Sequence, residues 1–444
     1  MWNVSRCAVL AVAIVESVTA MSALGHNCSW SDVDGGVNDL VSALTVFDDG
    51  NGAALIAGGR FTSAGGLAAA NIAKWDGLGW APMGLGFNGP VSSLIVFDDG
   101  TGPSLYAGGS FTIAGGLPAG GVARWNGHSW TPVGQGVGGF SVSSVDAMAV
   151  FDDGAGPALY IGGLFTEADG QPASHVAKWS GSQWRQAGGG VNDWVRTLVV
   201  HETTAGPALF AGGRFTAAGG FPANYIALWN GSSWMPVGGG LGNQVGALLS
   251  FNDGSGAALY AGGSFTTADG TPANRVAKWN GSTWSPLGAG VGSPVNALQA
   301  FDDGAEVVIY AAGIFISAGG APANRIARWD GSSWSSVAGG LTRPLGGFTT
   351  ATSLAVFDSG RGPALYVGGT FSAADGSPAN SIAVWSCAGQ CPADINGDGV
   401  VDAEDFFLFL PLFANGDPRA DINGDGLIDA NDFFAYLGQF AAGC

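Results

Sequence analysis

Two twelve-residue phrases near the C-terminus hold the densest oxygen chemistry in the sequence: DINGDGVVDAED at 394–405 and DINGDGLIDAND at 421–432. A loop that wraps a hard divalent cation offers oxygen at positions 1, 3, 5, 7, 9 and 12, with glycine at position 6 for the sharp turn. In the first phrase those positions are Asp394, Asn396, Asp398, the Val400 carbonyl, Asp402 and Asp405, with Gly399 at the turn. In the second they are Asp421, Asn423, Asp425, the Leu427 carbonyl, Asp429 and Asp432, with Gly426. A single acidic cluster is usually just a solvated surface. Two complete ligand sets in tandem predict two bound calcium ions.

Composition bounds where such sites would work. The chain has 444 residues and a formal net charge of −19, with 34 acidic against 15 basic side chains. That balance argues against nucleic acid and anionic membrane surfaces as partners. Residues 1–23 read as a secretory signal peptide. Arg6 supplies the positive start, CAVLAVAIV (7–15) is apolar but too short to span a bilayer, and cleavage is expected after Ala20 or Ala23. No later segment reads as a membrane span, so the expected location is secreted or extracellular, including attachment to a cell surface. Cys7 would leave with the signal. The remaining Cys28, Cys387, Cys391 and Cys444 then predict two disulfides, with three possible pairings.

The acidic tail has further features. Position 12 is aspartate in both phrases, where a sensor EF-hand has glutamate. CAGQCPA (387–393) is too short for a helix ahead of the first loop. Apolar stretches follow each loop instead, FFLFLPLF (406–413) and FFAYLGQF (433–440), with Pro411 expected to end or kink the first helix. This loop–helix duplicate, ending in Gly443-Cys444, resembles the type I dockerins, and within them a subgroup with a terminal Gly-Cys. The resemblance implies a small α calcium-binding domain at 391–444, after a short linker at 388–390, that docks on a cohesin-bearing scaffold or cell-surface protein. It implies that loop positions 10 and 11, here Ala403, Glu404, Ala430 and Asn431, face the cohesin. They depart from the hydroxyl pairs of well-known dockerins. It also implies a Cys391–Cys444 disulfide.

The rest of the chain must be what this tail carries, and it is periodic. A Gly-Gly-x-Phe-like phrase places Phe61, Phe111, Phe165, Phe215, Phe265, Phe315 and Phe371. Fourteen residues after each stands a tryptophan, from Trp75 to Trp385, and five residues beyond the first six stands another, from Trp80 to Trp334. In the second unit VSSLIVF (91–97), SLYAGG (104–109), GVARW (121–125) and WTPVG (130–134) read as four short strands between Gly, Asp and Asn turns. Four strands in a unit of this length is the pattern of a propeller blade. The 78 glycines do not signal disorder, because 47% of the chain is apolar. The recurring Phe and Trp are expected to pack between adjacent blades. Phrases such as GGSFTTADGTPANRVAKWNGSTW (262–284) resemble the G-G-x-F…N-x-I-A-x-W-x-G-x-x-W repeats of secreted bacterial and fungal propellers, and more distantly the kelch and galactose-oxidase kind. The spacing from glycine doublet to tryptophan departs from kelch, so the resemblance implies the fold rather than a kelch function. The expectation is an all-β, seven-bladed β-propeller over 24–387, plus the small α domain.

The seventh unit stops short. After SIAVW (381–385) comes SCAGQC, with no fifth-position tryptophan, while HNCSW (26–30) near the start is the tail of a W-x-G-x-x-W phrase without its head. Trp30 is therefore expected on an N-terminal strand that completes the last blade and removes open sheet edges. In that register Cys28 and Cys387 share one tight turn, which predicts a disulfide between them.

Catalytic constellations are harder to find. His26, His128, His175 and His201 do not converge, and the propeller cysteines are used in closure, so a copper oxidase site is not expected. Most carboxylates sit in repeated Asp-Asp-Gly turns, where they cap backbone amides. Glu167, Glu202 and Glu306 are scattered over different blades, so no carboxylate pair for glycoside hydrolysis stands out. One residue breaks the pattern. Trp194, in GGVNDWV (189–195), is the one tryptophan outside both the repeats and the signal. It lies in the connection into an innermost strand. Asn192, Asp193, Asn38, Asp39 and Arg343 occupy the equivalent connections, and insertions there bring Phe140 and Phe348. An aromatic among amides and charges suits a carbohydrate or other polar ligand. The functional expectation is a non-catalytic recognition or adhesion propeller anchored through its tail. The alternatives are an O-glycosyl hydrolase of polysaccharide breakdown, or a purely structural surface protein.

Overall fold

The structure is a computed structural model that describes residues 28–304, 306–344, 346–360, 362–387, 393–395, 401–423 and 427–442. The signal segment, Cys391, Cys444, Asn396, Asp398, Val400 and Asp425 lie outside the described residues.

Alternating apolar runs between glycine turns become seven four-stranded antiparallel sheets. In the first, Val41–Asp48, Ala53–Gly59, Ile72–Trp75 and Trp80–Pro82 pair in chain order. The turn between the first two strands is set by Asp48, whose Oδ1 accepts from Gly50 N at 2.8 Å and Gly52 N at 3.1 Å. Both glycines have positive φ, at 95° and 106°, where a side chain would be strained. The first strand of each sheet touches that of the next, from first through seventh and back to first. This cyclic order of antiparallel sheets is consistent with a β-propeller. The loop between second and third strands contains a small hairpin of two-residue strands, such as Ile113–Ala114 with Leu117–Pro118.

Two devices hold neighbouring sheets together. In six of the fourth strands the tryptophan indole N–H donates to a carbonyl beyond the preceding sheet, as in Trp130 to Met83 O at 3.1 Å and Trp234 to Ala187 O at 2.9 Å. Each such buried bond contributes about 1 kcal/mol. The second device is steric. Gly58, Gly108, Gly162, Gly212, Gly262 and Gly368 each face a valine of the next sheet, so close that a Cβ would come within 2.7 Å of its Cγ1. The sixth sheet has Ala312 at this position, and the seventh opposes it with Ala351 in place of valine, both in one core cluster.

The seventh sheet is completed from the other end of the chain. Cys28–Asp32 pairs antiparallel with Ile382–Cys387, with Trp30 opposite Trp385 as Trp80 stands opposite Trp75. The Trp30 indole donates to Val337 O at 3.3 Å, repeating the bond made at the other seams. Cys28 and Cys387 are disulfide-bonded. Their placement differs from the expected shared turn. With no linking turn between these strands, the ladder runs two residues past the tryptophan pair and the cysteines face each other at its end.

In the tail, two helices follow the acidic phrases: α1 (Ala403–Ala414) and α2 (Ala430–Ala442). Both start three residues earlier than the apolar runs suggested, because Asp402 caps α1 with a reciprocal Asp405 bond to its own amide. Pro411 does not end α1, which continues through it to Ala414. Phe409 and Tyr436 stack at 3.8 Å between ring centres in a small core with Ala393, Ala420 and Ile422.

Candidate functional site

The seven first strands share an irregularity that sequence periodicity hides. Each begins with Val-x-x-Leu or a close variant, and the ladder slips by one residue just after the first position, as between Val195 and Thr197. A bulge leaves one residue unpaired and re-aims its side chain. The seven bulged residues are Ser42, Ser92, Asp146, Arg196, Gly246, Asn296 and Thr352, and all line one cavity of about 540 Å³. Two residues further along each strand, Leu44, Leu94, Met148, Leu198, Leu248, Leu298 and Leu354 add an apolar ring to the same wall. The fold thus presents seven variable positions around an apolar lining.

Trp194 also lines this cavity, immediately ahead of the strand that carries Arg196. Its indole N–H donates to Asp146 Oδ2 at 2.6 Å, and the Arg196 guanidinium lies 4.5 Å from its ring centre. Asp146 Oδ2 also accepts from Ser144 Oγ at 2.6 Å. Burial pushes the Arg196 pKa down; Asp146 opposes that shift and Arg214 adds to it. On the far side of the ring, Asn296 Nδ2 donates to Thr350 Oγ1 and Ala351 O, and Thr352 Oγ1 to Val41 O, so these two tie the closing sheets. Sequence reasoning found Trp194 but missed Asp146 and Arg196. The available signal was that they are the two charged residues among the seven equivalent Val-x positions.

The other expected rim residues fall elsewhere. Asn192 Oδ1 accepts from Thr216 N and Ala217 N, and Asn38 does the same with Thr62 N and Ser63 N. These amides staple each sheet to its own hairpin and are spent on structure. Asp193 Oδ1 accepts from Trp194 N. Asn38, Asp39 and Arg343 border a separate cleft of about 510 Å³ at the seam of the seventh and first sheets, with Arg60 and Phe348. There Asp39 pairs with Arg60 at 3.2 Å, which holds its carboxyl below the usual range although burial opposes it. The histidines among the described residues stay apart. His175 lies beside Phe140 and Phe165, and His201 bonds Ser250 Oγ at 2.8 Å inside a seam.

Position 12 of each acidic phrase is fully buried, in Asp405 and Asp432. Asp432 accepts from Ile422 N, Asn423 N and Asp429 N, which lowers its pKa and folds the helix start back over the loop start. Asp394 is buried as well, whereas Asp402 and Asp429 are exposed. Among the described residues no three carboxylates are close enough together to form a metal cluster. Ala403, Glu404, Ala430 and Asn431 are exposed on the first turns of α1 and α2, and Phe407 and Phe434, at matching places in the two helices, are 68% exposed.

No family model matches the chain, and no curated protein matches it. Among solved structures it is similar to two structures of the extracellular domain of one protein, BT4673 from B. thetaiotaomicron, described in one case as a hybrid two-component system and in the other as a one-component system. Identity is 11% and 10%, TM-score 0.48 and 0.46, and 80% of this chain is covered in each case. The chain spans about two fifths of their length, 39% and 40%. BBS1N in complex with ARL6DN matches at 11% identity and TM-score 0.45, over 82% of this chain and 98% of that one. No helix among the described residues is long and apolar enough to cross a membrane.

Proposed function

We propose that the chain is an exported recognition or adhesion protein. Its ring of sheets, read as a seven-bladed propeller, binds a sugar in the central cavity. Its tail, read as a dockerin, binds two calcium ions and docks on a cohesin-bearing scaffold or cell-surface protein. The observation that carries this reading is the cavity wall: Trp194 held in place by Asp146, in a ring of hydroxyl and amide side chains. Aromatic faces and convergent polar groups suit sugars. Asp146 is the one carboxylate on that wall, whereas glycoside hydrolysis requires two facing each other. For the tail, the support is the burial of Asp405 and Asp432 beneath loops rich in oxygen ligands. The backbone bonds of Asp432 hold the start of α2 over its loop start, which brings the two ends of that ligand-rich loop together, and Asp405 accepts from the Asp402 amide as Asp432 does from that of Asp429.

The test has two arms. On a glycan array, the whole chain should bind a defined subset of sugars, Trp194→Ala should lose that binding, and the bound glycans should remain uncleaved. Binding unaffected by Trp194→Ala, or turnover of a polysaccharide panel, would overturn the cavity reading. Calorimetric titration with calcium should show two sites, both lost in Asp405→Ala/Asp432→Ala. No calcium uptake would overturn the tail reading.

A further inference from the structure

We infer that the central cavity takes a glycan bearing an oxyanion, a uronic-acid carboxylate or a sulfate ester, with Arg196 as the anion contact. The inference rests on the reading of this cavity as a sugar site and goes beyond it by assigning charge.

The first support is the position of Arg196. It occupies a bulge that aims one side chain per sheet into the cavity, and it is the one cation among the seven. Its guanidinium lies over the Trp194 ring but makes no hydrogen bond or ion pair with protein among the described residues. A guanidinium presents a planar fork of donors that matches an oxyanion two bonds at a time. Here the fork borders the cavity while its apolar face is occupied by the indole.

The second support concerns Asp146, the nearest carboxylate. Were it paired with Arg196, the cavity would be internally neutralised. Instead its Oδ2 accepts from both the Ser144 hydroxyl and the Trp194 indole, and it stands outside ion-pair distance of the guanidinium. Asp146 therefore positions the aromatic platform. Burial disfavours the Arg196 cation, Asp146 favours it without pairing and Arg214 disfavours it, so a direct oxyanion contact adds the paired bond that Asp146 does not make.

The third support is how charge is sorted along the sheets. At the Asp-Asp-Gly turns, basic residues of the third strands are taken up by aspartates, as in Asp49–Lys74 at 2.9 Å and Asp153–Lys178 at 2.5 Å. The opposite end, where first strands begin, carries Arg60, Arg196, Arg214, Arg275, Arg325 and Arg343. Arg60 and Arg214 follow the glycines that pair with Val41 and Val195, and the carbonyls of Arg275 and Arg325 accept from Gly263 and Gly313 at that same end. The carboxylates beside Arg60 and Trp194 at this end are already engaged, Asp39 by Arg60 and Asp193 by the Trp194 amide. In a chain of net charge −19 this end gathers these arginines, and Arg196 on the cavity wall is the one of them in the bulged ring, outside ion-pair distance of any carboxylate among the described residues. A volume of about 540 Å³ is enough for one or two sugar rings.

The test uses the whole calcium-loaded chain on an array of uronic-acid glycans, sulfated glycans, and their carboxyl-reduced or desulfated counterparts, followed by calorimetry on the best acid–neutral pair. The expected result is binding to acidic glycans at least tenfold tighter than to the neutral partner. Arg196→Gln should bring the two to equal affinity with an unchanged near-UV spectrum, and Arg196→Lys should keep part of the preference. Which array class responds identifies carboxylate or sulfate. Equal binding of acidic and neutral forms by the unaltered protein overturns the charge assignment and leaves the sugar reading standing. Acid preference that survives in Arg196→Gln also overturns it. Binding of neither form overturns both.

Discussion

The glycine–valine seam between the fifth and sixth sheets offers a prediction whose size can be worked out. A Cβ added at Gly262 would lie 2.5 Å from Val295 Cγ1, 3.0 Å from Val295 Cβ and 3.5 Å from Leu298 Cδ1. Carbon atoms prefer roughly 3.5–4.0 Å, so the valine or the sheet must move by about 1 Å. Such overpacking costs about 1–3 kcal/mol. Gly262 is outside the left-handed region, so alanine also restricts the unfolded chain and returns about 0.4–1 kcal/mol. Val295→Ala alone deletes two methyl groups from a side chain that is 1% exposed. That change costs about 1.6 kcal/mol in transfer alone, at about 0.8 per buried carbon, and about 2 kcal/mol with the residual cavity. If the effects were independent, the double variant would lose roughly 3–4 kcal/mol. Geometry says otherwise, because Val295→Ala removes the methyl that the Gly262→Ala side chain would strike, and the new methyl refills part of the space left by valine. The double variant should lose only about 1 kcal/mol, a coupling of about 2–3 kcal/mol. The sixth seam already contains this combination in Ala312 and Ala351. The assay is urea denaturation followed by tryptophan fluorescence for all four members of the cycle, compared at equal m-value. Additivity within about 0.5 kcal/mol would refute the claim that these residues meet across the seam.

Two further outcomes are expected. Cys28→Ser should lower the denaturation midpoint, because the bond spans 359 residues and the chain-entropy treatment gives about 6 kcal/mol for so long a loop, an upper bound; an unchanged midpoint would mean that the strand ladder alone closes the ring. His201 stands where the equivalent first strands have phenylalanine, and burial lowers its pKa with Glu202 opposing. The unfolded chain then binds the proton first, so stability falls as pH drops below about 6.5 and levels off once the folded state also titrates. His201→Phe should lessen that decline, leaving the share that comes from His175, which burial also lowers. An undiminished slope would refute the assignment.

Much of the architecture was readable because it repeats. A phrase copied seven times averages out local ambiguity, and the missing tryptophan in SIAVWSC could be matched to Trp30 by counting alone. The cysteine pair followed from the same register, though not its place at the end of a ladder. The cavity was less readable for the converse reason. Bulged positions face the cavity rather than the repeated core between sheets, so Ser42, Asp146, Arg196 and Asn296 look like noise within an otherwise regular strand. Their common direction comes from a one-residue slip that alternation patterns do not register. Asn38 and Asn192 misled in the opposite sense, since a polar residue in a loop looks available until its hairpin partners are known. In the tail, helix starts were misplaced because apolar runs mark a helix core, whereas the first turn of α1 is set by the Asp402 cap.

The clasp has a bearing on how such a chain comes into being. Residues 28–32 are among the first to leave the ribosome, yet their partners, residues 382–387, are among the last of the ring. Six sheets can form as they emerge, each complete within its own stretch of sequence, while the opening strand waits unpaired for the whole ring to be made. A chain cut short anywhere before Cys387 leaves two exposed edges and a free thiol. The Cys28–Cys387 bond thus also records that the ring was finished.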